Sequence, residues 1–145
     1  MNDGDIVDFI TAAALAGHHI QNEIEVQIWN AGGLTHIPQP LPVGQKAVYL
    51  FAHGNSFLKI GKICGQNASK RFQYHHYNGA APSTLYGSLS KDDTYIALIN
   101  GQHIGQWIKE NTTRFNIYFP DHYSDHLISF AESFFILKYS PVFEG

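Results

Sequence analysis

One cysteine, Cys64, is all that this 145-residue chain holds, which excludes an internal disulfide and a cysteine-cage zinc site. Apolar runs long enough to span a bilayer are missing as well, so no membrane association is expected. The opening Met1-Asn2-Asp3-Gly4-Asp5 is acidic and lacks the basic start of a signal peptide, and a cytoplasmic location follows as the expectation. The most informative gap is in charge. Residues 26–91 carry no Asp or Glu at all, yet hold Lys46, Lys59, Lys62, Lys70, Arg71 and Lys91. Before them lie five acids and no Lys or Arg, and after them seven acids against three bases. A net charge of −3 therefore hides a basic middle segment, which a polyanionic partner would explain and which chance spacing would also produce.

What is present suits one domain with a real core: 44% hydrophobic residues, with 14% aromatic. Ile6, Phe9, Ile10, Ala13 and Ala14 recur at helical spacing from Asp5 to about Ala16. Ile20 to Trp29 fits either a helix face or an alternating strand, the strand being favoured. Gly- and Pro-rich residues 30–45 form an extended loop. Residues 1–45 thus read as an N-terminal extension (helix, then strand) packed on a core domain of residues 46–145. That extension is open to two uses, gripping DNA or forming a homodimer.

The core domain opens with the strand-prone Val48-Tyr49-Leu50-Phe51, turn residues His53-Gly54-Asn55-Ser56, and a return strand from Phe57 to Gly61. A helix capped by Asn67 is expected next, carrying Lys70, Arg71, Phe72, His75 and His76. On an α-helix Arg71 and His75 share a face. A short helix is expected over residues 83–90, and Asp92–Asn100 fits a helix or a buried strand, the helix being favoured by the following Gly101. Residues 107–112 resemble a helix end. Arg114 to Phe119 alternates as the third strand of a small antiparallel sheet, and His122 to Tyr139 has helical spacing. Within Leu127 to Leu137 the only charge is Glu132, and a carboxylate there needs a cation, a metal or a raised pKa. A salt bridge to Lys138 or Arg114 is the ordinary alternative.

The order of these residues resembles the GIY-YIG nuclease family. Ala47-Val48-Tyr49 stands for the first triplet and Lys59-Ile60-Gly61 for the second. Lysine replaces the second tyrosine, as in some members, restriction endonucleases among them. Arg71-x-x-x-His75, the helical Glu132, Pro141 and the ending Phe143-Glu144-Gly145 follow in the family's order. The resemblance implies an α+β fold, a three-stranded antiparallel sheet flanked by helices. It also implies a metal-dependent endonuclease acting on DNA, of restriction or mobile-element type. Its implied roles are Tyr49 as general base or orienter of the attacking water, with Lys59 and Lys62 favouring its phenolate. Arg71 would grip the phosphate, His75 would bond it or shuttle a proton, and Glu132 would hold one Mg²⁺ or Mn²⁺. Lys70 and His76 would contact nucleic acid. A binding module without catalysis and an RNA endonuclease are the alternatives, and each residue has an ordinary one: Tyr49 a core aromatic, Lys59 an edge-strand lysine, Arg71 and His75 a plain amphipathic face.

This reading makes a geometric demand. A two-residue Gly54-Asn55 turn continued regularly would pair Tyr49 with Ile60 and send Lys59 to the opposite face. Tyr49 and Lys59 share a face only with an odd-length connection or a bulge. A three-residue turn over His53–Asn55 would pair Tyr49 with Lys59 directly. Tyr49, Lys59 and Gly61 would then line one face, with Val48, Leu50, Leu58 and Ile60 on the other.

Overall fold

A computed structural model describes residues 1–144; of the Phe143-Glu144-Gly145 ending, Gly145 lies outside the described residues. Helix α1 (Asp3–Leu15) begins where Asn2 closes a capping box: its side chain accepts from Asp5 N–H (3.2 Å), and Asn2 N–H donates back to Asp5 Oδ2 (2.6 Å). Strands β1 (Glu25–Trp29), β2 (Gln45–His53) and β3 (Ser56–Ile63) follow. Next come a 3₁₀ turn (Gln66–Ala68), a π-helical turn (Arg71–His75) and α2 (His76–Asn78), then α3 (Leu85–Leu89), α4 (Asp93–Ile99), α5 (Ile104–Asn111), β4 (Thr113–Pro120) and α6 (Asp125–Tyr139). No described helix is long and apolar enough to cross a membrane.

The fold is α+β, and its antiparallel sheet has four strands, not three, in the order β1-β4-β2-β3. The extra strand is β1, from the N-terminal extension, which pairs along β4 from Glu25↔Tyr118 to Trp29↔Arg114. Alternation sends successive side chains to opposite faces, and both faces are buried. On one, Ala47, Tyr49, Phe51, Leu58 and Ile63 meet Phe72, Tyr77, Leu85 and Trp107 of the helices between β3 and β4. On the other, Val48, Leu50, Ile60, Ile117 and Phe119 meet Phe9 and Ala13 of α1 and Leu127, Ile128, Ala131 and Phe135 of α6. Residues 1–45 supply side chains to both cores, Phe9 and Ala13 to one and Trp29 and Leu41 to the other. The boundary expected near residue 45 is therefore not a break in packing.

His36 ties this N-terminal stretch down. It is wholly buried; Nδ1–H donates to Thr112 O (2.7 Å), and Nε2 accepts from the Tyr77 hydroxyl (2.7 Å). Burial holds its pKa down to about 4, with the charges of Arg114 and Lys109 acting the same way against the Thr112 bond.

The hairpin β2–β3 meets the geometric demand by an unforeseen route. Its turn is the two-residue one, with His53 opposite Ser56, but the register slips between Phe51 and Ala52, leaving Leu58 as an extra residue on β3. Beyond this bulge Phe51 faces Lys59 and Tyr49 faces Gly61. The expected Tyr49–Lys59 pairing is thus displaced by one pair along the same face. Leu58 also departs from expectation, packing on the Tyr49 side of the sheet, because two residues then oppose one. The C-terminal tail holds this point from outside: Val142 N–H donates to Phe57 O and Phe143 N–H to Leu58 O, both at 2.9 Å.

Candidate active site

Strand β3 is an edge strand, and its alternation is what builds the site. Lys59 and Gly61 lie on the Tyr49 face, while Ile60 and Lys62 lie on the α6 face. Around this edge opens a cleft of about 260 Å³ lined by Tyr49, Lys59, Ile60, Gly61, Lys62, Arg71, Ser83 and Glu132. Five of the six residues assigned catalytic or metal-binding roles from sequence share it. His75 does not line it.

Gly61 is required for this arrangement. A Cβ built there would lie 2.6 Å from Tyr49 Cζ, so the tyrosine ring lies across the bare backbone of the facing strand. Only 2% of Tyr49 is exposed. Burial pushes its phenol pKa up, while the charges of Arg114 and then Arg71 act against that rise.

The hydroxyl of Tyr49 meets His76 Nε2 at 2.8 Å. Leu85 N–H donates to His76 Nδ1 (3.1 Å); a backbone amide only donates, so Nδ1 carries the lone pair. Burial, and then the charges of Arg114, Arg71, Lys59 and His75, hold the His76 pKa well below the usual histidine value. The neutral ring therefore has its proton on Nε2 and donates it to Tyr49 Oη. This leaves the proton of Tyr49 itself directed away from His76.

The expected role of His76 in touching nucleic acid is corrected by this geometry. It is wholly buried, with both ring nitrogens engaged inside the protein. The physical reason is the π-helical winding of Arg71–His75. A π turn brings i and i+5 onto one face where an α-helix would bring i and i+4, so His76 takes the direction expected of His75. His75 instead turns aside, its Nδ1 buried with no hydrogen-bond partner among the described residues. The helical segment also starts differently: Asn67 sits within the 3₁₀ turn, whose N-cap is Gly65 without a side-chain bond. Lys70 is exposed just before the π turn, in keeping with a surface contact.

Arg71 is anchored by the loop before α3. Its Nη1 donates to Pro82 O (3.0 Å) and its Nη2 to Ser83 O (3.3 Å). Ser83 holds a left-handed backbone (φ 56°), a conformation that costs a non-glycine residue about 1–2 kcal/mol. Two guanidinium protons are held by these carbonyls, and a side-chain hydrogen bond between Arg71 and Tyr49 also works against the rise in the phenol pKa. Lys59, an edge-strand residue by position, is only 3% exposed; burial, and then the Arg71 charge, lower its pKa.

Glu132 is not isolated among apolar neighbours. Lys62 Nζ meets its Oε2 at 2.5 Å across the cleft. Neither partner expected from sequence is there: Lys138 pairs with Asp5 (3.2 Å) and Asp8 (2.8 Å), and Arg114 is buried on the other face of the sheet. Lys62 is thus committed to the carboxylate, and His76 and Arg71 take over the place beside the phenol. No group of three or more His, Cys, Asp or Glu that could hold a metal occurs among the described residues. A single carboxylate on an open cleft does fit a hydrated Mg²⁺, which keeps most of its water shell, once Lys62 releases that oxygen. Neither a protein-family model, nor a curated protein, nor a solved structure matches the chain.

Proposed function

We propose that the protein is a metal-dependent endonuclease that hydrolyses phosphodiester bonds in DNA in the cytoplasm. The observation that carries this reading is the convergence of Tyr49, Lys59, Lys62, Arg71 and Glu132 on one cleft at the β3 edge. Apart from Glu132, the residues that line it all come from the acid-free basic stretch 26–91. Hydrolysis needs an activated water, charge neutralisation on the phosphoryl group and help for the leaving oxygen.

Tyr49, accepting a hydrogen bond from His76, would orient the attacking water or take its proton. Arg71 would grip non-bridging oxygens with the N–H groups not held by the Pro82 and Ser83 carbonyls. Lys59 would add positive charge beside the phosphate. Glu132 would hold Mg²⁺ or Mn²⁺, and the ion when bound would stabilise charge on the leaving oxygen. Lys62 would pass from the carboxylate to the substrate as the ion binds. His75 has no part in this scheme.

A second reading, a nucleic-acid-binding module without catalysis, is favoured by the Lys62–Glu132 contact, which satisfies the carboxylate with no ion. Incubation with supercoiled DNA, linear DNA and structured RNA, each with Mg²⁺, Mn²⁺ or EDTA, decides between them. Cleavage of DNA that EDTA stops is the expected result. Binding without cleavage supports the second reading, and cutting of RNA alone makes the protein an RNA endonuclease.

A further inference from the structure

Arg114 is the largest of the fully buried side chains, and its surroundings are unusual for a charge. Its guanidinium carbon lies 4.3 Å from the ring centroid of Phe72, 4.6 Å from Trp29, 4.9 Å from Phe51 and 5.1 Å from Tyr49. Nε donates to Asn116 Oδ1 (2.8 Å), and Nη1 donates to Phe72 O (2.9 Å) and Tyr77 Oη (3.2 Å). Nη2 is buried without a partner. All these acceptors are neutral, and no ion pair to Arg114 occurs among the described residues. Arginine stays protonated wherever it is placed, so the core holds a permanent positive charge beside the Tyr49 ring. An apolar residue of similar size would serve stability as well or better.

We propose that Arg114 is a positioning residue for Tyr49, supplying from inside the protein the fixed positive charge that favours the phenolate. This rests on the reading of Tyr49 as the residue that activates water. Other charged and titratable groups surround the phenol: Arg71 and His76 from the helical segment, Lys59 and Lys62 from β3, and Glu132 from α6. They differ from Arg114 in one respect. His76 is neutral, Lys62 is matched by Glu132, and Arg71 and Lys59 sit where a substrate phosphate would neutralise them. Arg114 is out of reach of phosphate and solvent, so its effect persists when substrate binds and the cleft cations are neutralised. Arg114 also heads the charges that oppose burial at Tyr49.

The test places 3-fluorotyrosine at position 49 and follows its titration by fluorine NMR, without substrate, in proteins carrying Arg114, Arg114→Lys, Arg114→Met or Arg114→Gln. Arg114→Gln keeps a donor toward Phe72 O and Tyr77, a second neutral variant should the methionine variant fail to fold. Removing the charge raises the titration midpoint by about one unit or more, and Arg114→Lys stays nearer the parent. An unchanged midpoint in either folded neutral variant overturns the proposal. Because no substrate is used, the two ideas fail separately. A shifted midpoint in a protein that cuts nothing sustains the role of Arg114 beside Tyr49 and removes the nuclease reading; an unchanged midpoint in a protein that cuts DNA removes only the role of Arg114.

Discussion

Tyr49 lies across Gly61, the residue directly opposite it on β3. The aromatic ring therefore reaches the sheet edge only because the facing strand has no side chain at that point. Gly61→Ala forces the ring or the strand to move, at a cost of about 1–3 kcal/mol, and takes the hydroxyl away from His76. Chemical denaturation and single-turnover cleavage measure the two consequences. Full activity with unchanged stability would mean that the ring is free to sit elsewhere.

The π turn makes the two adjacent histidines unequal. His76→Ala leaves Leu85 N–H and Tyr49 Oη without their partner, costing about 1–3 kcal/mol, and slows cleavage steeply. His75→Ala leaves cleavage within a few-fold of the parent. Parallel cleavage assays of the two variants check this; the opposite ranking would return the role to His75.

Arg71 is asked to present a planar fork while two of its protons hold the Pro82 and Ser83 carbonyls. Arg71→Ala lowers the single-turnover rate by about two orders of magnitude or more, and Arg71→Lys restores little, since an ammonium supplies charge without the fork. Near-complete rescue by lysine, measured at saturating enzyme, would reduce Arg71 to a source of surface charge.

Lys62 holds a Glu132 carboxylate oxygen that a bound metal would need. Glu132→Gln abolishes metal-dependent cleavage yet changes stability by less than about 1 kcal/mol, the range of a partly exposed ion pair. Lys62→Met frees the carboxylate and tightens Mn²⁺ binding, read by calorimetry without nucleic acid. Mn²⁺ binding that survives Glu132→Gln would place the ion elsewhere.

Acid destabilises the fold through His36. Its folded pKa of about 4 lies below the ordinary 6.5, so the unfolded chain binds the extra proton first as pH falls. The stability from this group is fully present above about 6.5 and is lost as pH drops toward 4, by about 3 kcal/mol at most. His76, also held neutral by burial, acts in the same direction. Urea midpoints at pH 7 and pH 4.5 check this; the difference shrinks in His36→Gln if His36 is a principal source.

Local rules determined a good part of this protein. Spacing located α1 and α6, the 92–100 stretch became α4 with Asp92 as its cap, a strand-prone run and its turn located β2 and β3, and alternation located β4. The family resemblance named five residues that line the cleft. Tertiary structure decided what long-range pairing alone can decide. Ile20 to Trp29 fitted both helix and strand, with the strand favoured, and pairing with β4 made a strand of Glu25–Trp29. The Leu58 bulge, held outside by Phe143, placed Lys59 and Tyr49 on one face. The π turn exchanged His75 for His76, since one inserted residue in a helix shifts a face without any mark in composition. Glu132 found Lys62 across the sheet edge, a pairing seventy residues distant. Arg114 read as a strand residue and a possible partner of Glu132, and only the packing of four rings around it gave its charge a place beside Tyr49.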